Sequence, residues 1–465
     1  MLGRFLSQLV LHPWRGARER RAQVRALREH GAALRASGRL DEAIMHLRRA
    51  RDAEPRAEGL LRDLVAALVE RDNTRKALAI AREAFAADPR DAEANVALGL
   101  ALQKVHEPQR ALEHYAAALA CRPDDADVLD LRGSALVELG RIDEGLRDFD
   151  RALVLRPGFA LAAFHRSLAL LLRGDFERGW EGYELRRRDV RRVGSAPPAP
   201  EWDGAALPGT LLVTREQGLG DEIMFASLLP EVMRRVGHCV VECDPRLREI
   251  FARSFPGATV VDSARRAGRQ IDAAIPAGSL PRFMRARLAD FPAHEGYLRA
   301  DAVRVQAQRE RLDALGPGLK VGLSWTGGVR ETRQPLRSLA LERLRPILAK
   351  PGVRFVSLQY TAQAAAEAAA AGIAHWPEVI ADYDETAALV CALDLVVSVC
   401  TSVVHLAGAL GRPTWVMAPH SPEWRYGFSG ERMPWYPSVR VYRQPAYADW
   451  QPVIDAVAKD LARLR

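Results

Sequence analysis

Proline recurs at a fixed interval in the first third of the chain. Pro55, Pro89, Pro123 and Pro157 are each 34 residues apart. Three columns of mostly small residues keep the same period: Gly31, Val65, Gly99 and Gly133; Ala43, Ala77, Ala111 and Gly145; Ala50, Ala84, Ala118 and Ala152. Small side chains let two antiparallel helices approach closely, and each proline ends a second helix before the next unit begins. The period therefore predicts a stack of helix pairs.

This repeat resembles the tetratricopeptide (TPR) repeat in both its period and its columns. We expect a TPR array over residues 24–192, with four clear units and a divergent fifth that includes "GDFERGWEGYELRRR" (174–188). Stacked helix pairs form a concave face that commonly receives a protein segment. The resemblance thus implies a protein partner or acceptor on that face. The alternative is an array that only packs against the rest of the chain.

Composition and charge indicate a folded protein and argue against one class of partner. The chain has 465 residues, too many for one core, and 48% hydrophobic with 27% charged residues is typical of folded proteins. Much of the net charge of +8 lies in the first 28 residues, which hold seven arginines against one glutamate. The nearly neutral remainder argues against a nucleic-acid groove. The basic arm, residues 1–23, is either a solvated helix or a weak peripheral contact with acidic lipid or an acidic partner.

Two further patterns bear on the compartment. No stretch approaches the roughly 20 apolar residues that span a bilayer, and the first residues do not resemble a signal peptide. The five cysteines are scattered and provide no disulfide framework. We therefore expect a cytoplasmic protein.

The pattern changes after a proline-rich connector at residues 193–209. From residue 210, short runs rich in β-branched residues alternate with helical stretches; the runs are "TLLVTREQ", "CVVEC", "ATVVD", "KVGLSW", "VRFVSLQ", "LVVSVC" and "TWVMAP". This alternation predicts parallel sheets built from βαβ units. Because the strands are too many for one sheet, we expect two Rossmann-like lobes, at 210–310 and 311–465. Ligands of such lobes bind beyond the carboxyl ends of the strands.

The first lobe opens with the loop "TREQGLGDEI" (214–223), which contains Glu216, Gly218, Gly220 and Asp221. Its glycines permit a tight turn, and Asp221 stands where a helix begins. Two interpretations of Asp221 stay open: it caps the helix, or it accepts a proton from an acceptor hydroxyl as a general base. A carboxylate repels phosphate, so we expect this loop on the acceptor side.

The second lobe opens with the loop "GLSWTGGVRETRQPLRS" (322–338). Its candidate residues are Ser324, Trp325, Gly327 and Gly328, followed by Arg330, Arg333 and Arg337. Glycines let backbone amides approach an anion, and a guanidinium group donates paired hydrogen bonds to phosphate oxygens. The pattern favours a phosphate site for a donor over an ordinary basic surface loop.

A third loop follows the apolar run "LVVSVC". Thr401 and Ser402 begin a helix there, and His405 lies about one turn further on. A helix N-terminus attracts anions through its free amides and its dipole. A lone helical histidine is commonly a core residue, but its place one turn past such a terminus favours a role beside phosphate. Upstream, we expect Asp384 to cap another helix near the same cleft.

Residues 210–465 resemble the GT-B glycosyltransferases of the heptosyltransferase type (glycosyltransferase family 9). The whole chain resembles bacterial proteins that join such a domain to TPR repeats. The matching segments are "YELRRR…WDG", "EQGLGDEIMFASLLP", "GLSWTGG…LRSL", "FVSLQ", "DETAALVCALDLVVSVCTSVVHLAGALGRPTWVM" and "PWYPSVRVYRQP". The resemblance implies an all-α TPR solenoid followed by an α/β GT-B fold with two Rossmann-like lobes.

The same resemblance implies a function and roles for several residues. It implies inverting transfer of a hexose- or heptose-type sugar from a nucleotide-diphosphate sugar to an acceptor hydroxyl, with neither a metal nor a cofactor beyond the donor. Asp221 would be the general base, and Arg337 would lie against the donor phosphates. The diphosphate- and sugar-binding segment would contain Thr401, Ser402 and His405.

One position departs from the family pattern. Members commonly have an aspartate immediately before the threonine of the third loop, where this chain has Cys400. The departure implies a different sugar, a weaker donor site or a lost activity. The alternative function is therefore a non-catalytic TPR adaptor with a relic GT-B domain.

Overall fold

The structure, a computed structural model, describes residues 16–188, 199–216, 218–328 and 334–464. The chain divides into two compact units, Met1–His165 and Arg166–Arg465. Most of the predicted basic arm, residues 193–198 of the proline-rich connector, Arg330 and Arg333 lie outside the described residues. Within the described ranges, no helix combines the length and apolar character needed to cross a membrane.

The first unit consists of consecutive helix pairs. Its helices are α1 (Ala17–Ala36), α2 (Leu40–Ala53), α3 (Leu60–Glu70), α4 (Thr74–Ala87), α5 (Ala92–Lys104), α6 (Pro108–Cys121), α7 (Ala126–Glu138), α8 (Ile142–Leu155) and the first part of α9 (Ala160–Arg173). Helices α2, α4, α6 and α8 each end two residues before a proline of the repeating series. The predicted TPR-like stack of helix pairs is confirmed.

The small residues of the first column make room for large side chains. Three glycines of first helices each face a residue sixteen positions later in the second helix: Gly31 with Leu47, Gly99 with Tyr115 and Gly133 with Phe149. A side-chain carbon added to Gly99 would lie 2.5 Å from the Tyr115 ring. The second repeat instead has Val65 in this column, and the residue sixteen positions later is Ala81, both fully buried. Bulk has moved from one helix to the other, so close packing is kept.

The second unit contains two sheets. Its strands are β1 (Leu207–Thr214), β2 (Val236–Glu242), β3 (Ala258–Val261), β4 (Ala273–Pro276), β5 (Leu319–Ser324), β6 (Val353–Ser357), β7 (Leu395–Val399), β8 (Thr414–Ala418), β9 (Arg432–Met433) and β10 (Tyr436–Arg443). The first sheet has the order β3-β2-β1-β4 and is parallel. The second has the order β6-β5-β7-β8-β10-β9 and is parallel except for the β9–β10 pair. The predicted fold class is confirmed: helix pairs precede an α/β region with two parallel sheets, consistent with two Rossmann-like lobes.

Helices connect and flank these strands. They are α10 (Phe176–Tyr183), α11 (Leu219–Ala226), α12 (Leu229–Met233), α13 (Arg248–Ser254), α14 (Pro281–Met284), α15 (Ala302–Asp313), α16 (Arg345–Leu348), α17 (Ala364–Ala370), α18 (Pro377–Ala381), α19 (Tyr383–Ala392), α20 (Ser402–Ala409) and α21 (Gln451–Leu461). Strands β5 and β7 are neighbours, with Ser324 opposite Ser398. The loops that follow these two strands therefore emerge side by side.

Helix α10 belongs to a region that the sequence assigned to a divergent fifth repeat, but it lies in the second unit. Its Trp180 donates a hydrogen bond of 2.7 Å from the indole nitrogen to the Arg285 carbonyl. The same ring meets Trp424 edge-on, with centroids 5.3 Å apart. Burial of large aromatic rings is strongly stabilising, so α10 is an integral part of the second unit's core.

We expect Gly99→Val to lower the stability of the first unit by about 1–3 kcal/mol, because the added carbons would overlap the Tyr115 ring. Adding Tyr115→Ala should recover part of this loss, since the pair would then match Val65 and Ala81. Thermal unfolding followed by circular dichroism measures both effects. The control is Gly158→Val, where an added carbon meets nothing within 4 Å. If the double variant loses as much stability as the two single variants lose together, the size exchange is contradicted.

Candidate functional site

The predicted base, Asp221, is bonded to an arginine from the other lobe. It occupies the third position of α11, and the helix has no side-chain cap at Gly218, so the capping interpretation of Asp221 is wrong. The Nε of Arg425 donates a hydrogen bond of 2.5 Å to Asp221 Oδ1, and both side chains are 14% exposed. Burial alone would lower the pKa of Arg425, but Asp221 and Glu423 outweigh it and raise that pKa above its ordinary value.

The first and third predicted loops touch each other. A side-chain carbon on Gly220 would lie 2.9 Å from His405 Cδ2 and 3.5 Å from Ser402 Cα. A larger residue at position 220 would have to displace the His405 ring, so this approach requires a glycine. The loop that carries Asp221 and the N-terminal turn of α20 are thus in direct contact.

His405 is a buried, neutral group in this contact. Its side chain is 4% exposed, and Nδ1 lies 3.1 Å from the Tyr436 hydroxyl. Burial, reinforced by the charge of Arg425, lowers the pKa of His405 to about 3. At neutral pH the imidazole therefore offers a hydrogen bond but no positive charge.

The N-terminus of α20 is shaped by Thr401. Its side chain caps the helix by accepting a hydrogen bond of 3.1 Å from the Val403 amide. The preceding Cys400 is 1% exposed, and burial raises the pKa of its thiol to about 12, so the thiol is protonated. The position where the resemblance led us to expect an acidic residue therefore has a neutral group.

The second predicted loop is held by a residue that the sequence analysis did not single out. The side-chain oxygen of Gln359 accepts hydrogen bonds from the Ser324 hydroxyl (3.2 Å) and the Trp325 amide (3.1 Å). The Trp325 indole donates to Glu367 at 2.8 Å. Ser324 and Trp325 are almost wholly buried. These two residues stabilise the loop from the protein interior and do not line an open surface.

The glycines of this loop bring it against α20. A side-chain carbon on Gly327 would lie 2.5 Å from Thr401 Cγ2 and 2.7 Å from the Cys400 carbonyl oxygen. Gly328 has a φ of 77°, a left-handed conformation that glycine adopts without strain. The second and third loops therefore form one continuous surface at the carboxyl ends of β5 and β7.

Arg337 is also paired within the second lobe. It is 9% exposed, and its Nη1 lies 2.5 Å from Glu423 Oε1. Glu423 directly precedes the short 3-10 turn Trp424–Tyr426, which contains Arg425. One segment, Glu423–Arg425, therefore contacts both the predicted base and the predicted phosphate-binding arginine.

Glu216 is paired with Arg186. Both its side chain and that of Arg186 are fully buried, and Arg186 Nη2 lies 2.7 Å from Glu216 Oε1. The Gly278 amide also donates to Glu216, and Arg186 donates to Ser279. These bonds fix the end of β1 to the end of β4, so Glu216 stabilises the loop that leads to Asp221.

A second ion pair joins the two lobes. Asp384 accepts hydrogen bonds of 2.8 and 2.7 Å from the guanidinium of Arg253 on α13. The cap of α19 is Asp382, which accepts from the amides of residues 384 and 385. The expectation that Asp384 caps this helix is therefore wrong; its carboxylate is used between the lobes instead.

The geometry defines a repeat protein whose α/β unit has an ionic cluster where its lobes meet; the cluster comprises Asp221, Arg425, Glu423, Arg337 and His405. Sequence reasoning missed Arg425 and Glu423, although "SPEWRYG" contains both charges beside a tryptophan. Among the described residues, no group of three histidine, cysteine, aspartate or glutamate side chains is arranged to hold a metal ion.

Comparison with known sequences gives one curated relative. Protein FlbA of Caulobacter vibrioides is 35% identical over 327 residues, which are 64% of this chain and 54% of that protein. The chain thus spans about half the length of the curated relative that it matches. No protein-family model matches the chain.

Comparison with solved structures gives TPR proteins. A thermophilic TPR protein of Thermus thermophilus, TTC0263, is 19% identical, with a TM-score of 0.32, and the match covers 37% of this chain and 92% of its own. YrrB, described as a TPR protein with an unusual peptide-binding site, is 19% identical with a TM-score of 0.24, and the match covers 34% of this chain and 82% of its own. The function of this chain is therefore argued from its own residues.

The low pKa of His405 predicts acid sensitivity. An unfolded histidine binds a proton below about pH 6.5, whereas folded His405 does so only near pH 3. Its contribution to stability is complete above pH 6.5 and is lost as the pH falls toward 3. His405→Gln should therefore lose less thermal stability between pH 7 and 4.5 than the unaltered chain does. An equal loss of thermal stability in the His405 variant and the unaltered chain over this pH range would contradict the assignment.

Proposed function

We propose that residues 210–465 form an inverting glycosyltransferase that uses a nucleotide-diphosphate sugar, and that the repeats bind a protein acceptor or partner. One observation carries the proposal: Asp221 of the first lobe and Arg337 of the second are linked through the single segment Glu423–Arg425. A displacement at an anomeric carbon needs a base on one side and a cationic environment for the leaving group on the other. The cluster has both kinds of group within one contact region.

The proposed chemistry uses these residues in distinct roles. Asp221 takes the proton of the acceptor hydroxyl while the oxygen of that hydroxyl forms a bond to the anomeric carbon. The bond between that carbon and the diphosphate breaks, and its electron pair leaves with the phosphate oxygen. Arg337 and the N-terminal amides of α20 stabilise the departing charge. Neutral His405 orients a hydroxyl or phosphate oxygen by hydrogen bonding.

Binding of the donor requires an exchange of ionic partners. Arg337 is held by Glu423, and Asp221 is held by Arg425. Glu423 is 32% exposed, against 14% for Asp221, so Glu423 moves into water at the lower cost. We propose that a donor phosphate replaces Glu423 on Arg337. The same anion attracts Arg425 and releases Asp221 for the acceptor.

We further propose that each lobe binds one of the two substrates. The acceptor side is the first lobe, 210–310, and the donor side is the second lobe, 311–465. The repeat array of 24–192 presents the protein partner, and the enzyme works in the cytoplasm.

Asp221→Asn should abolish transfer and keep donor binding, because the amide has the shape of the carboxylate but cannot accept the proton. We expect donor hydrolysis, measured as release of the nucleoside diphosphate, to fall about 10²–10⁴-fold. The control is Glu249→Gln, which removes an equal charge from an exposed site in the same lobe. The proposal fails if UDP-, GDP-, ADP- and dTDP-sugars all leave the melting temperature of the unaltered protein unchanged and none is hydrolysed.

Glu423→Gln should tighten donor binding by roughly threefold to tenfold, because Arg337 then has no competing carboxylate. Arg337→Gln should weaken it by a comparable or larger factor. Titration calorimetry with the best nucleotide sugar of the thermal screen measures both. Glu431→Gln on the same lobe removes a carboxylate paired with Arg440 and should change nothing. Weaker donor binding by the Glu423 variant would contradict the exchange.

A second candidate function is a non-catalytic adaptor. The specific observation that favours it is that Asp221 and Arg337 are both neutralised within the chain, next to the uncharged Cys400. An adaptor would work equally well without these charges. Full complementation of a gene deletion by the Asp221→Asn/Arg337→Gln double variant would favour the adaptor, and failure to complement would favour the enzyme.

A further inference from the structure

A groove of about 720 Å³ lies within the first unit, between α2 and the turn that joins α3 to α4. Its base is apolar, since Ile44 and Leu68 are buried beneath it. Met45 is 43% exposed on its wall. A volume of this size is within the range of roughly 300–1,000 Å³ that is usual for ligand sites. Methionine adapts its shape to varied partners and is frequent on peptide-binding surfaces.

The groove has an excess of positive charge. Four cations line it, Arg48, Arg49, Arg71 and Lys76, against two carboxylates, Asp41 and Asp72. The Nε of Arg71 lies 2.8 Å from Asp41 Oδ1, so this cation is compensated.

The other three cations, Arg48, Arg49 and Lys76, form no salt bridge within the part of the chain that the structure describes. Arg49 and Lys76 are exposed. Burial lowers the pKa of His46, and the neighbouring His30 and Arg49 lower it further, which agrees with a local excess of positive charge.

We propose that this groove binds an acidic peptide segment of another protein, with an apolar residue among its carboxylates. The carboxylates would pair with Arg48, Arg49 and Lys76, and the apolar side chain would rest on Met45 above Ile44. Charge complementarity of this kind raises association rates and selects partners. The inference rests on the proposed partner-binding role of the repeats and is independent of sugar transfer.

The same charges would suit a nucleic acid less well. Proteins that bind single strands without sequence preference stack bases on aromatic side chains. None of the residues described as lining the groove is aromatic, and two of them are carboxylates. The apolar base instead matches an aliphatic side chain. A peptide is therefore the occupant that these residues favour.

The test is fluorescence anisotropy with the full chain and a labelled octapeptide of glutamate and leucine. We expect saturable binding that weakens as salt is raised. Arg49→Glu/Lys76→Glu should weaken binding roughly tenfold, because attraction becomes repulsion. The matched control is Arg75→Glu, an equal charge reversal at an exposed neighbouring position that does not line the groove. Met45→Ala, which keeps every charge, should weaken binding severalfold. This variant tests the groove if the charge variants fail to fold.

Four results would overturn the proposal: no binding of the acidic peptide, equal binding of the same peptide with lysine in place of glutamate, tighter binding of a single-stranded RNA of similar length, or equal loss in the Arg75 control. Donor binding in the second unit is measured separately by the thermal screen. If the acidic peptide does not bind, the glycosyltransferase proposal is unaffected. If no nucleotide sugar binds, the proposal for the groove is unaffected.

Discussion

The buried ion pair between Arg186 and Glu216 is the constraint on which the α/β unit's site depends. Both side chains are excluded from solvent, and Glu216 accepts hydrogen bonds of 2.9 and 2.7 Å from the guanidinium group and a further one from Gly278. An isolated charge at this depth would be strongly destabilising, so neither partner can move without the other. The pair joins the segment after α10 to the ends of β1 and β4. It thereby fixes the start of the loop that positions Asp221 five residues later.

The ionic cluster that contains Asp221 has no net charge. Two arginines and two carboxylates neutralise one another, and His405 is uncharged because it is buried. A site in this state does not attract anions strongly from a distance. An entering anion is held only if it displaces an internal carboxylate, so selectivity depends on the geometry of paired hydrogen bonds more than on long-range attraction.

Much of the architecture could be predicted because it depends on periodic signals. Prolines and small columns recur along the repeats, and apolar runs mark most of the strands. Strand β4 (Ala273–Pro276) was missed because its four residues include only one β-branched side chain, and β10 (Tyr436–Arg443) because its apolar residues are interrupted by arginine and serine. Short or mixed strands are stabilised by their neighbours in the sheet, which local composition does not reveal.

The candidate site was predictable only in its loops. Glycines and polar residues after strands indicated which segments meet, and Gly220 does approach His405. The partners of the charges could not be predicted, because Asp221 and Arg425 are separated by 204 positions in sequence. Asp384 illustrates the same limit: an aspartate near a helix start suggests a cap, yet tertiary contact with Arg253 decides its role.

The exchange of bulk between Val65 and Ala81 has a consequence for how the array can be rebuilt. Grafting the first helix of the second repeat onto the second helix of the third would set Val65 against Tyr115, and the opposite graft would leave a void. Whole repeats can be shuffled, but half-repeats cannot.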